Sequence, residues 1–434
     1  MADEDEDIFD VVVIGGGVAG CTAAYKLAQQ GHSVVLIERA AQPGSKNLSG
    51  GVFYCRVMEQ VFPGFVDNAP VERRITRNVV SFANPTSTVK IDYWDQRLAE
   101  PVNAVSVLRA KLDAWLSEQC EEAGVMVMPG VKVDELVIEG GQVVGVRAGE
   151  DELRARIVIA ADGVNSFIAQ QAGIRPKEPK KSLAVGVKSV IALDPATIEQ
   201  RFHCSGDEGT AYAVVGDCTQ GVAGGGFLYT NKESISIGVV LRLDDLVAKG
   251  LASSDVHDHF LAHPAIAPLL EGGQLREYGC HLTIEDGPAM VAHELHRAGL
   301  MIVGDAAGFT LNTGLTIRGM DLAAGSALAA ASAAHRALTD KDYSDESMAR
   351  YERNLERDFV GQDMRTYVHM PELLDSPRMY GAYGEMIADV MHGMFNMDTR
   401  PRTHAIKVAT RAFKKSSVRL GELVRDGITA LKAL

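Results

Sequence analysis

Long apolar runs are missing from this sequence. Nowhere in its 434 residues do 18 apolar side chains follow one another, so no transmembrane helix is expected. The N-terminus, MADEDEDIFD, lacks both a basic segment and an apolar core. No secretory signal is expected there, and the chain reads as cytoplasmic. Cysteine is scarce and scattered: Cys21, Cys55, Cys120, Cys204, Cys218 and Cys280 include no C-x-x-C pair. That spacing fits neither a zinc site nor an iron–sulfur cluster and leaves reduced thiols as the plain reading. Histidine occurs without H-E-x-x-H or paired ligand spacing, so no metal site is expected. Basic charge is in deficit, 43 Lys and Arg against 57 Asp and Glu for a net −14, which argues against general nucleic-acid binding. The remainder, 46% hydrophobic and 23% charged, is ordinary globular composition, long enough for two or three lobes.

The N-terminal segment carries chemistry. DVVVIGGGVAG (10–20) sets Gly15-x-Gly17-x-x-Gly20 directly after an apolar strand, a helical stretch follows, and HSVVLIER forms a second strand ending at Glu38 and Arg39. Gly15 permits the turn, Gly17 lets a pyrophosphate approach the backbone, and Gly20 allows the helix to pack on the strand. The start of the helix, Val18 and Ala19, offers free N–H groups and a partial positive charge to phosphate. Glu38 is placed to accept hydrogen bonds from an adenosine ribose. Glu38 suits either FAD or NAD, and this segment alone does not separate them.

Three further landmarks follow. VSVLRAKLDAWLSEQCEEAG (105–124) reads as one amphipathic helix with Leu108, Leu112, Leu116 and Cys120 on a face, and with Arg109 near its start, where a bound anion would offset the unfavourable helix dipole. ARIVIAADGVNSFIAQQAG (155–173) runs a strand into Ala161, Asp162 and Gly163 and then a helix. GLMIVGD ends a strand at Gly304 and Asp305, where open α/β sheets bind ligands, and GFTLNTGLTIRGMD with an Ala-rich helix continues from it.

Taken in this order, G-x-G-x-x-G, the Arg-headed helix, A-D-G and the late G-D resemble flavoprotein hydroxylase-type FAD domains. The loop after G-D lacks the His and Pro usual in aromatic hydroxylases. GSKNLSGG (44–51), ERRITRNVVSFA (72–83), GGGFLYTN (224–231), GDAAGF and TIRGMD are similar to the electron transfer flavoprotein:quinone oxidoreductases, and in particular to their FixC-like branch, from about residue 9 to the C-terminus. The resemblance implies an α/β (α+β) chain: a Rossmann-like FAD domain, an inserted antiparallel sheet domain and a helical C-terminal region. It implies FAD as cofactor, with Gly15, Gly17, Val18, Ala19, Gly20, Glu38 and Arg39 at the ADP end and Arg109, Val133, Ala161, Asp162 and Gly163 beside it. Asn47, Ser49, Gly50 and Gly51 would border the isoalloxazine. Gly304 and Asp305 would hold the ribityl chain, and Gly314, Arg318, Gly319 and Met320 would close the site with amides that tune the reduced flavin. Gly224 and Gly225 would line a quinone pocket, although a strand bulge explains the same glycines. Arg318 would either touch FAD or pair with Asp321.

The larger relatives of this kind carry their own 4Fe–4S cluster. The cysteine count rules that out here, so the resemblance implies a FixX-like ferredoxin partner, together with FixA/FixB-like electron transfer flavoprotein subunits and a membrane quinone. The implied function is transfer of electrons from the partner flavoprotein through FAD to quinone, within an electron-bifurcating complex of the kind found in Fix systems, peripheral to the inner face of the cell membrane. Two other readings stay open: a geranylgeranyl-reductase-like enzyme acting on isoprenoid lipids, and a non-catalytic FAD-bearing assembly subunit. The expected division is 8–83, 101–178 and 275–340 for the FAD domain, 84–100 and 179–274 for the inserted sheet, and 341–434 for the helical region. Between 364 and 397 lie seven methionines, and from 400 to 434 nine Lys and Arg face two acids. The methionines are core filler or an adaptable surface, and the basic tail suits an anionic membrane or a partner subunit.

Overall fold

The computed structural model describes residues 8–45, 50–177, 179–291 and 293–434. Two sheets dominate. The first has eight strands, and its parallel centre runs Leu300–Ile302, Asp151–Ala160, Ile8–Ile14, Val34–Glu38 and Met126–Pro129. Val11, Val12, Val13, Val35, Leu36, Ile157, Val158 and Ile159 are all fully buried. Continuous apolar runs of this kind arise where helices cover both faces of a parallel sheet. Helix Val18–Gln29 joins the first two strands and packs against the 21-residue helix Met320–Asp340. Both helices bury alanines, among them Ala19, Ala23 and Ala24 on the first and Ala323, Ala324, Ala327 and Ala330 on the second.

The segment 105–124 divides differently from its sequence reading. Val105–Leu108 is a strand, and the helix begins at Arg109 and runs to Glu122. Val105 and Val107 alternate with Ser106 in a buried strand, a pattern too short for periodicity to distinguish from the helix that follows. Leu112, Leu116 and Cys120 do form the buried helix face.

The second sheet has nine strands. Its order is Gln274–Ile284, Leu183–Ala192, Ser234–Arg242, Gly224–Thr230, Glu208–Gly216, Val71–Asn84, Val105–Leu108 and Gly50–Phe53, with Ser87–Trp94 added on Val71–Asn84. Every pair is antiparallel except Glu208–Gly216 with Val71–Asn84, which is parallel. Strands 50–53, 71–84, 105–108 and 274–284, grouped with the FAD domain in the sequence reading, therefore pair in this second sheet. Their partners lie far away in the chain, beyond the reach of local pattern.

The C-terminal helices Met370–Leu374, Ala382–Phe395, Ala405–Lys415 and Leu420–Ala433 finish the fold. Asp426 anchors them, accepting hydrogen bonds from Arg378 Nε and Nη2 at 2.7 Å each and from Tyr383 at 2.6 Å. The methionines split between roles: Met364 and Met370 are buried, whereas Met391, Met394 and Met397 are exposed. Among the described residues, no helix is long and apolar enough to cross a membrane.

Candidate functional site

A cavity of about 650 Å³ separates the C-terminal ends of the parallel strands from the face of the nine-stranded sheet. That is the ordinary size of a cofactor site. Its first wall is mostly backbone. Gly15 adopts φ +104°, and a Cβ there would stand 2.3 Å from the Ala161 carbonyl oxygen. Glycine is therefore required for this turn to lie against the Ala161–Asp162 strand end. A Cβ on Gly20 would stand 1.8 Å from the Gly15 carbonyl, so this residue sets helix-to-strand packing and does not line the cavity. Gly17 precedes the helix Val18–Gln29, which has no side-chain cap and no acid in its first turn. Its free N–H groups face the cavity. Glu38 is held at its strand end by the Gly16 N–H at 2.8 Å and the Ala40 N–H at 2.7 Å.

Arg109 is fixed over this turn. Its Nε and Nη2 each donate to the fully buried Asp113 carboxylate at 2.8 Å. Burial opposes the guanidinium charge, and Asp113 and Asp305 more than offset it, so its pKa stands above the ordinary value. Asp162 accepts the Ile168 N–H through one oxygen, while the other is buried without a partner. Burial raises the Asp162 pKa, and a buried acceptor left unpaired here suits a donor brought by a ligand. Burial also raises Asp305 at the opposite strand end, against the pull of Arg109, Thr310, Lys188 and Arg175.

Helix Met320–Asp340 aims a second uncapped N-terminus at the cavity through Gly319. Gly51 leaves room for Met320, whose Cε lies 3.1 Å from where a Gly51 Cβ would stand.

Of the residues expected at the site, Gly15, Gly17, Val18, Ala19, Glu38, Arg39, Gly50, Gly51, Arg109, Val133, Ala161, Asp162, Gly163, Asp305, Gly319 and Met320 line this one cavity. Asn47 and Ser49 lie outside the described residues. Gly304 stands behind the wall, donating its N–H to Ser326 Oγ at 3.0 Å. Gly314 faces Leu374 and Met370 of the C-terminal region. Arg318, left open between FAD and Asp321, pairs with both Asp321 and Asp363 at 2.6 Å and is not among the lining residues.

Gly224 and Gly225 also fall outside the lining. A Cβ on Gly224, at φ +141°, would meet the Val240 carbonyl at 2.0 Å, and one on Gly225 the Val214 carbonyl at 3.0 Å. Close strand approach accounts for both glycines, while Phe227 and Tyr229, stacked at 5.0 Å between centroids, reach the cavity from the same strand.

The second wall was not anticipated. Lys188, His281, Thr283 and Glu285 project from the nine-stranded sheet into the cavity. Lys188 folds over Gly186, its Cε 3.4 Å from where a Cβ would stand there. Burial, with Arg109 adding repulsion, lowers its pKa to about 8. Burial, then Lys188 and Arg109, takes His281 down to about 4. Burial raises Glu285 to about 7, with Arg242 pulling the other way. The available sequence signal was a lone lysine inside the apolar run SLAVGVKSVIAL.

A glycine turn on a parallel sheet, two uncapped helix starts, an acid at each of two strand ends and a covering sheet define an FAD-dependent oxidoreductase of the flavoprotein hydroxylase fold. Residues 9–215 match the FAD binding domain family, and residues 370–434 match the ETF-QO/FixC family C-terminal domain. The chain is 45% identical over 430 residues, 99% of its length and 100% of the relative's, to a probable electron transfer flavoprotein-quinone oxidoreductase, YdiS, of Escherichia coli strain K12. It is 41% identical over 431 residues, again 99% and 100%, to Protein FixC of the same strain. The chain belongs to the electron transfer flavoprotein-quinone oxidoreductase/FixC family. Among solved structures, a geranylgeranyl bacteriochlorophyll reductase-like protein from Thermoplasma acidophilum superposes with a TM-score of 0.72 at 21% identity, covering 97% of this chain and 99% of the other. The myxobacterial chondrochloren halogenase CndH, a variant FAD-dependent halogenase, gives 0.63 at 19% identity, with 94% and 97% covered. These two share the fold.

The cavity fits FAD on its own features: a backbone approach open at Gly17, the unpaired Asp162 oxygen and the two helix N-termini.

Proposed function

We propose that this chain takes electrons from a partner electron transfer flavoprotein onto FAD and passes them to a membrane quinone, in a FixABCX-type complex with FixA/FixB-like subunits and a FixX-like 4Fe–4S ferredoxin. The observation that carries this is full-length identity of 45% to a relative named as a probable electron transfer flavoprotein-quinone oxidoreductase, with 41% to Protein FixC, joined to a cavity with the features FAD requires. FAD supplies the redox centre.

The chain's own residues bind and orient it. The amides following Gly17, with Arg109 above them, hold the pyrophosphate, and Glu38 holds the adenosine ribose. Asp305 accepts from the ribityl hydroxyls. The Gly319–Met320 helix start lines the cavity, and its positive dipole would stabilise negative charge on a flavin bound there. Gly50 and Gly51, which line the cavity, would border the ring. The nine-stranded sheet covers the site, and the acceptor would enter between that sheet and the flavin.

The C-terminal helices support peripheral docking at the inner membrane face. Ile406, Leu420 and Leu431 are exposed there by 74, 65 and 87% amid the basic tail, the composition of an interfacial surface. A partner subunit is the alternative occupant, and co-sedimentation with anionic vesicles separates the two.

The electron-donor half is tested by mixing the FAD-loaded chain anaerobically with its reduced flavoprotein partner. Bleaching of the flavin that requires the partner supports the reading. A flavin that stays oxidised with the partner yet is reduced by NAD(P)H alone would reject it.

A further inference from the structure

On strand Gln274–Ile284, His281 and Thr283 lie two residues apart and so share a face, with Glu285 two residues beyond at the strand's end. All three line the cavity. His281 pairs in register with Gly186, and Lys188, two residues further along that neighbouring strand, points to the same side. The row covers roughly 13 Å from His281 to Glu285. Its ends differ. The Lys188 end is influenced by Arg109 and Asp305. The Glu285 end lies under Arg242, Asp244, Asp286, Asp375 and Tyr380. Of these, Asp375 is open to solvent and ion-paired with Arg242. Among the described residues, neither the Glu285 carboxylate nor the Lys188 ammonium has a hydrogen-bond or ion-pair partner. Two unpaired titratable groups in the wall of a cofactor cavity are costly unless a function uses them.

We propose that Glu285, Thr283, His281 and Lys188 form a proton-entry row that carries protons from the Arg242–Asp375 surface into the cavity as electrons reach the cofactor and its acceptor. The row rests on the quinone-reducing reading above. Each quinone carbonyl becomes a hydroxyl, so the acceptor gains two electrons, delivered through the cofactor, and two protons, delivered from solvent along the row. Groups that titrate near neutrality pass protons best, and Glu285 at about 7 and Lys188 at about 8 meet that condition. Successive members stand about 7 Å apart, so water in the cavity would bridge them, and His281, neutral at that pH, relays by accepting on one ring nitrogen and donating from the other.

The test uses the FAD-loaded full chain, unsubstituted and as Glu285→Gln and Thr283→Val, each reduced anaerobically by light. Reoxidation is followed with a water-soluble benzoquinone and with ferricenium, which takes one electron and no proton. A pH-indicator dye reports proton uptake during the reduction itself. The row predicts that both variants slow the quinone reaction by about 100-fold, flatten its pH profile near neutrality and slow dye-reported proton uptake, while ferricenium rates hold. Equal slowing of both acceptors, or an unchanged quinone rate in Glu285→Gln, overturns the row. If benzoquinone fails to reoxidise even the unsubstituted protein, the quinone reading falls, and the dye alone then decides the row: unchanged uptake in both variants overturns it.

Discussion

The two walls of the cavity are built from different materials. The parallel-sheet wall presents backbone, glycines, strand ends and two helix N-termini, with Glu38, Arg109, Asp162 and Asp305 among its charged side chains. The antiparallel wall presents side chains: Lys188, His281, Thr283, Glu285, Phe227 and Tyr229. A backbone cradle tolerates little substitution, because a Cβ closes it. A side-chain wall can change chemistry without changing fold. The first arrangement suits the invariant part of a cofactor, and the second suits whatever acceptor the cofactor serves.

Substitutions can break this contrast in a graded way. Gly20→Val should have the largest effect, since even its Cβ would stand 1.8 Å from the Gly15 carbonyl. A loss of about 3 kcal/mol of stability and of bound flavin is expected, read by thermal unfolding and visible absorbance. Gly224→Ala comes next, at a cost of about 2 kcal/mol for a side chain forced into φ +141°. Quinone kinetics of the folded fraction should stay intact, because the residue lies outside the cavity lining. A quinone defect with unchanged melting would return Gly224 to the acceptor site.

Asp305→Ala should leave the fold in place and weaken FAD binding about 10- to 100-fold, the worth of hydrogen bonds to a charged acceptor. Full occupancy with an unaltered spectrum would reject the ribityl role. The effect of Glu285 on stability is set by pH. Its folded pKa of about 7 lies above the ordinary 4.5, so between these values the folded protein binds more protons than the unfolded one. Stability from this group is therefore present at low pH and lost as pH rises towards 7. Glu285→Gln should melt higher than the parent at pH 8, with the difference shrinking to nothing near pH 4. A constant difference across that range would show that Glu285 is not the titrating group.

How much was legible in the sequence follows the same division. The glycine turn, Glu38, Arg109, Asp162 and Asp305 are marked locally, because a strand, a turn and a helix start occupy adjacent residues. Sixteen of the expected positions meet in one cavity, of which Gly50, Gly51, Val133, Gly319 and Met320 were expected from the family resemblance alone. Lys188, His281 and Glu285 were not legible: they join only through the pairing of strands Leu183–Ala192 and Gln274–Ile284, about ninety residues apart in the chain. The same non-local pairing moved 71–84 and 274–284 into the second sheet. Gly224 and Gly225 illustrate the converse, since a glycine signal read as ligand contact also arises from strands approaching closely. For Arg318 the sequence offered two partners, and only the packing of Asp363 beside Asp321 favoured the ion pair.

The most direct test of the central claim is a single anaerobic sequence of mixings. The FAD-loaded chain is offered NADH alone, then its reduced electron transfer flavoprotein partner, then a water-soluble quinone. The account predicts no reduction by NADH, reduction once the partner is present, and reoxidation by the quinone. Fast reduction by NADH alone, followed by no response to quinone, would contradict it.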